Sequence, residues 1–138
     1  MERTLAIIKP DAVAAHHAGR IIQRIEDAGF QIRAMRIVRL TKPEAEGFYA
    51  VHRERPFFAS LTTFMSSGPA IVMALEGPDA IRKWRTLMGA TDPSKAEAGS
   101  LRKEFGASIE HNATHGSDAA ETAAYELGYF FTGAELAG

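Results

Sequence analysis

Asn112-Ala113-Thr114-His115-Gly116-Ser117-Asp118 is the stretch of this chain best equipped for chemistry. It sets one imidazole on a short extended segment, with glycine directly after it and a helix start following. Asp118 with Glu121 three residues on has the spacing of a capping box, which predicts a helix from roughly Ala119 to Phe130. N–H groups at a helix start carry partial positive charge and favour a nearby anion. Glu126 follows two turns further along. An imidazole beside an anion-friendly helix end, with a carboxylate in reach, is a candidate phosphoryl-accepting nucleophile. On ordinary residue frequencies, Asn-x-x-His-Gly-Ser-Asp recurs by chance on the order of once in 10⁴–10⁵ chains of this length.

The elements that must position this string can be read from hydrophobic period and turn chemistry. Leu5-Ala6-Ile7-Ile8 is a continuously apolar run that fits a strand buried on both faces. Pro10 stops it, and Asp11 can start a helix. Gly19 to Gly29 is amphipathic, with Ile21, Ile22, Ile25 and Ala28 on one face and Gly29 suited to the C-terminal cap. From Phe30 to Leu40 apolar and polar residues alternate, with a phase slip near Ala34-Met35 that marks a bulge. Arg33, Arg36 and Arg39 fall mainly on its solvent side.

Thr41-Lys42-Pro43-Glu44 opens a helix with capping-box spacing and an early proline. Gly47 to His52 is expected to continue it, and Arg53 to Phe58 to turn into a further helical stretch. Phe64 to Pro69 is a loop, and Ala70 to Leu75 a second apolar strand. Asp79 is the expected N-cap of a helix that reaches about Met88 and buries Ile81, Trp84 and Met88. Gly89 to His111 is long for a connection, and such loops tend to be functional. Within it Gly99 to Phe105 reads as a short helical turn, and Thr132 to Gly138 reads as a short tail.

This order of elements fits an α/β sandwich of the ferredoxin-like, split βαβ kind. Its four-stranded antiparallel sheet is expected to carry helices packed on one side. The Rossmann and P-loop alternatives lack their phosphate-binding glycine motifs. At 138 residues the chain is one domain of usual size. A net charge of −1 gives no support for nucleic-acid or anionic-membrane binding. The absence of cysteine excludes thiolate catalysis and zinc–thiolate sites. With no signal peptide and no apolar run of spanning length, the chain reads as cytoplasmic.

Asn-x-x-His-Gly-Ser-Asp resembles the active-site signature of the nucleoside diphosphate kinases. The likeness extends to Ile8-Lys9-Pro10-Asp11-Ala12-Val13, to Arg85 before Gly89-Ala90-Thr91-Asp92-Pro93, and to Gly99-Ser100-Leu101-Arg102-Lys103-Glu104-Phe105. It covers nearly the whole chain and supports the same fold. It implies transfer of a γ-phosphoryl group, typically from ATP, to a nucleoside diphosphate such as GDP, by a ping-pong route through a phosphohistidine on His115. It implies that Glu126 and Ser117 orient the imidazole, and that Lys9, Arg85, Thr91, Arg102 and Asn112 hold the nucleotide. The resemblance further implies that Tyr49 and His52 lie around the active site and that Phe57 stacks on the base, a contact that every base can make. Arginine suits phosphate because its fork of donors bridges two oxygens.

Mg²⁺ is the expected cofactor, arriving on the nucleotide's phosphates, since the chain shows no carboxylate cluster of its own. The resemblance also implies a homo-oligomer; the short tail favours a tetramer built from dimers over a hexamer. Ala119 replaces the serine usual after Gly-Ser-Asp, and Asp92 the usual asparagine before the loop proline. Other readings remain open at this stage: a nucleotide-binding module without turnover, a histidine phosphocarrier acting on proteins, and an RNA-binding sheet. The last lacks the basic-aromatic strand such sheets use. His16, His17 and His111 read as exposed loop residues without a role.

Overall fold

The computed structural model describes residues 1–137. β1 (Glu2–Ile8) leads through α1 (Pro10–Ala14) and α2 (Ala18–Asp27) to β2 (Gln31–Val38). α3 (Lys42–Phe48), a 3₁₀ turn (Ala50–His52) and α4 (Phe58–Met65) precede β3 (Ala70–Gly77). α5 (Ala80–Met88), a 3₁₀ turn (Pro93–Lys95) and α6 (Leu101–Phe105) precede β4 (Thr114–Gly116); α7 (Ala120–Phe130) and α8 (Gly133–Leu136) follow. The strands form one sheet in the order β2-β3-β1-β4, with every neighbouring pair antiparallel. β1 and β2 are split by β3, which is the ferredoxin-like arrangement.

One expectation is overturned: helices cover both faces of the sheet, not one. Ala6, Ile8, Met73 and Leu75 pack with Ile21 and Ile25 of α2 and Trp84 and Met88 of α5. The alternate residues Leu5, Ile7, Val72 and Ala74 pack with Phe48 of α3, Met65 of α4 and Leu127 and Phe130 of α7. The physical reason was already visible in β1 and β3. A continuously apolar strand needs apolar cover on both faces, whereas a strand wet on one side alternates.

Local signals set most element ends. Thr41 makes the expected capping box: its hydroxyl accepts from the Glu44 N–H at 3.2 Å, while Glu44 accepts from the Thr41 N–H at 2.8 Å. Gly29 follows α2 at φ +92°, a backbone shape that glycine adopts without steric cost. The register of β2 shifts between Ile32 and Ala34, close to the slip read from the sequence.

One stretch differs in extent from expectation, and two helix starts lie where expected but are capped differently. α3 stops at Phe48 instead of continuing through His52, and α4 begins only at Phe58. Pro56 has no N–H to give a continuous helix. Asp79 sits at φ +56° without capping through its side chain; Glu2 accepts the Ile81 N–H at 2.8 Å in its place. α7 begins at Ala120, where the Thr122 hydroxyl takes the N–H groups of Asp118 and Ala119 at 3.1 and 2.9 Å. The Asp118–Glu121 capping box therefore does not form. In the tail, Thr132 caps the short α8, accepting from the Glu135 N–H at 3.1 Å, and Gly138 lies outside the described residues. Among the described residues no helix is long and apolar enough to cross a membrane.

Candidate active site

β4 is only three residues long, yet it pins His115 against the centre of the sheet. His115 pairs with Ile7, and its carbonyl accepts from the Trp84 indole N–H at 3.1 Å. The next residue must be small. A Cβ on Gly116 would meet Trp84 Cδ1 at 2.5 Å and Met88 Cε at 2.7 Å. Just before the strand, Ala113 is held at φ +75°, with its N–H donating to Asp11 Oδ2 at 3.1 Å. The side chain of Asp11 thus secures the turn that delivers the imidazole.

Behind His115 lies a short relay. The Leu5 N–H reaches Ser117 Oγ at 3.3 Å, and the Ser117 hydroxyl donates to Glu126 Oε1 at 2.9 Å. The same oxygen lies 2.9 Å from His115 Nε2. A carboxylate only accepts, so Nε2 carries the proton and Nδ1 keeps the lone pair. The ring edge is also fenced by Phe48 and Tyr49, both T-shaped to the imidazole at 5.3 and 5.7 Å between centroids. The tertiary contact thus distinguishes the two ring nitrogens, which the sequence left open.

In front of His115 is a cleft of about 320 Å³. Lys9, Tyr49, His52, Phe57, Arg85, Thr91, Arg102, Asn112 and His115 all line it. Ser117 and Glu126 are absent from its lining because they stand behind the imidazole. Every sequence-predicted site residue is therefore either in the cleft wall or directly behind it. The walls also include Leu61, Ile109 and Glu110, which sequence reading missed, and Asp118, which it read as a helix cap. Ile109 is an apolar side chain 61% exposed at the tip of a turn, a signal that only exposure reveals.

Three cations line the cleft, Lys9, Arg85 and Arg102, with the carboxylates of Glu110 and Asp118 beside them. Lys9 is 6% exposed, with Nζ donating to Asn112 Oδ1 at 2.9 Å, and Asn112 in turn donates to the Thr91 carbonyl at 3.0 Å. Burial and the neighbouring Arg102 charge pull the Lys9 pKa down to about 8. Arg102 donates to the carbonyls of Gly89 and Thr114 at 3.0 and 2.9 Å, while its Nε is buried without a partner. Burial and the Arg85 charge lower its pKa to about 10. Arg85 pairs with Asp118 at 2.7 Å at the exposed edge. A bound anion would offset both the burial and the neighbouring charge that disfavour the charged forms of Lys9 and Arg102. Tyr49 provides a neutral donor: burial and the Glu126 charge push its ionisation far up, and its buried hydroxyl has no partner. Among the described residues no three His, Asp or Glu side chains converge to hold a metal.

Comparison with known proteins agrees with this architecture. The family model described as nucleoside diphosphate kinase matches residues 2–136. The nucleoside diphosphate kinase of Syntrophotalea carbinolica is 62% identical over 136 residues, covering 99% of each chain. That of Desulfosudis oleivorans is 57% identical over 138 residues, covering 100% of this chain and 99% of its own. Among solved structures, the Aquifex aeolicus nucleoside diphosphate kinase superposes with a TM-score of 0.95 at 47% identity, covering 97% of each chain. The Halobacterium salinarum enzyme, solved in complex with CDP, superposes with a TM-score of 0.93 at 38% identity, covering 97% of this chain and 90% of its own. With its sheet, its cationic cleft and its carboxylate-held histidine, the chain belongs to the nucleoside diphosphate kinase family.

Proposed function

We propose that this chain, as a single domain over residues 1–138, moves the γ-phosphoryl group of a nucleoside triphosphate to a nucleoside diphosphate through His115. The observation that carries the reading is the 2.9 Å contact between His115 Nε2 and Glu126 at the floor of a cationic cleft. Holding the proton on Nε2 leaves Nδ1 free to attack the γ-phosphorus. The phosphorus–oxygen bond to the β-phosphate breaks, and the diphosphate leaves with that electron pair. An acceptor diphosphate then enters the same cleft. Its terminal oxygen attacks the phosphorus, the phosphorus–nitrogen bond breaks, and the pair returns to Nδ1.

Phosphoryl transfer depends mainly on positioning and on neutralising charge. Lys9, Arg85 and Arg102 supply the charge, and the Tyr49 phenol and Thr91 supply neutral donors. Phe57 and Ile109 offer apolar surfaces for the base without reading its edge, which fits acceptance of ATP, GTP, GDP and other nucleotides alike. Mg²⁺ fits this site as a nucleotide-borne ion, because the cleft offers only the separate carboxylates of Asp118 and Glu110. Bound there, it neutralises phosphate charge and orients the phosphate chain. The same reading makes the chain a cytoplasmic homo-oligomer, with a tetramer as the favoured assembly.

Trapping the intermediate tests the reading. Mixed with Mg²⁺ and γ-labelled ATP and no acceptor, the protein should take up an acid-labile, base-stable label. His115→Ala should take up none, and GDP should discharge it. A protein that binds ATP without becoming labelled is a binding module and not a kinase.

A further inference from the structure

The two walls at the base end of the cleft come from separate parts of the chain. One is the start of α4, where the N-cap residue Phe57 and Leu61 of the helix line the cleft. The other is a turn over residues 107–111, closed on itself by the Ala107 N–H donating to the His111 carbonyl at 2.8 Å, with Ile109 at its tip. The foot of this turn is fixed by the buried Lys9–Asn112 pair. Its upper part meets α4 at the edge of the cleft, which Glu110 also lines. The Ser60 hydroxyl donates to Glu110 Oε1 at 3.1 Å, and the His111 ring stacks on Phe64 with centroids 4.3 Å apart and planes 17° apart. Ser60 and Phe64 are one turn apart on α4, beside the face that carries Phe57 and Leu61. Hydrogen bond and ring stack thus bridge the same two walls.

We propose that Ser60–Glu110 and Phe64–His111 form a clasp that sets the width of the base slot. It rests on the kinase reading above and deepens it: the clasp governs affinity for the base half of the nucleotide and leaves the phosphate half alone. None of the four residues does chemistry; they are positioning residues acting through Phe57 and Ile109. A slot gripped by its walls can take any base of suitable thickness, because no base edge is read.

The test compares GDP with ribose 5-diphosphate, which has the same phosphates and no base. Direct binding is measured for the parent, Ser60→Ala/His111→Ala and Ser60→Thr, with label discharge from the phosphorylated protein at saturating GDP. The double variant should weaken GDP about fivefold or more, from the loss of two modest contacts. Ribose 5-diphosphate affinity and the saturating discharge rate should stay within about twofold, the margin such contacts leave. Ser60→Thr, which keeps the hydroxyl, should bind GDP like the parent. Equal weakening of both ligands, or no weakening of either, overturns the clasp. A parent that binds GDP without accepting label sinks the kinase reading alone, and the two affinities still decide the clasp. A parent that binds neither overturns both.

Discussion

Lys9 is stripped of water by burial and repelled by Arg102, and its pKa falls from the ordinary 10.5 to about 8. Below pH 8 it is protonated folded and unfolded, so it adds no pH dependence to stability. Between pH 8 and 10.5 the unfolded chain binds the extra proton, so the unfavourable burial of this charge fades as pH rises. A bound phosphate reverses the balance by favouring the ammonium. Nucleotide binding at pH 8 should therefore draw in about half a proton, measurable by calorimetry in two buffers of different ionisation enthalpy. kcat/KM should decline above about pH 8, where the free protein loses that charge. Lys9→Met should abolish the proton uptake; an unchanged uptake would assign it to another group. Although it stands at the end of a strand, Lys9 is one of the most buried cations among the described residues.

At the scale of elements, the site depends on how closely β4 and α5 approach. Gly116 does not have a positive φ; what it lacks is room, since a Cβ would lie 2.5 Å from Trp84. Gly116→Ala must push the indole away and break its 3.1 Å hydrogen bond to the His115 carbonyl. Overpacking of this kind costs about 1–3 kcal/mol. Urea unfolding followed by the fluorescence of Trp84, the single tryptophan, should show that loss. An unaltered midpoint would mean that α5 yields without cost. The motif's glycine is legible in the sequence, but its reason is not, because Trp84 lies 32 positions away.

Across the whole molecule, the weak boundary is β2 at the sheet edge. Met35 and Ile37 alternate onto one face and are 53% and 69% exposed, while Arg36 between them is tied to Glu135 of α8. An edge strand carrying two large apolar side chains is a natural place for a second copy to pair. Ile37→Glu should lower the molar mass in analytical ultracentrifugation without changing the far-UV circular dichroism. A parent chain that sediments as a monomer at micromolar concentration removes the oligomer reading altogether.

By itself the sequence determined what local chemistry can encode. Apolar runs marked β1 and β3, the 3.6-residue period marked α2, Thr41 and Glu44 capped α3, and one seven-residue string pointed to His115. Those signals lie within a few residues of the structure they specify. Tertiary structure alone decided which distant groups share a space. Lys9 meets Asn112 across 103 positions because β1 and β4 are neighbours in the sheet. Helices lie on both faces because β1 and β3 are apolar on both. The Asp118 carboxylate went to Arg85 and not to a helix cap, since a charged partner was brought within 2.7 Å. Which imidazole nitrogen is free to react depends on which one reaches Glu126. Chain spacing cannot express that contact; only the packing of α7 against the sheet creates it.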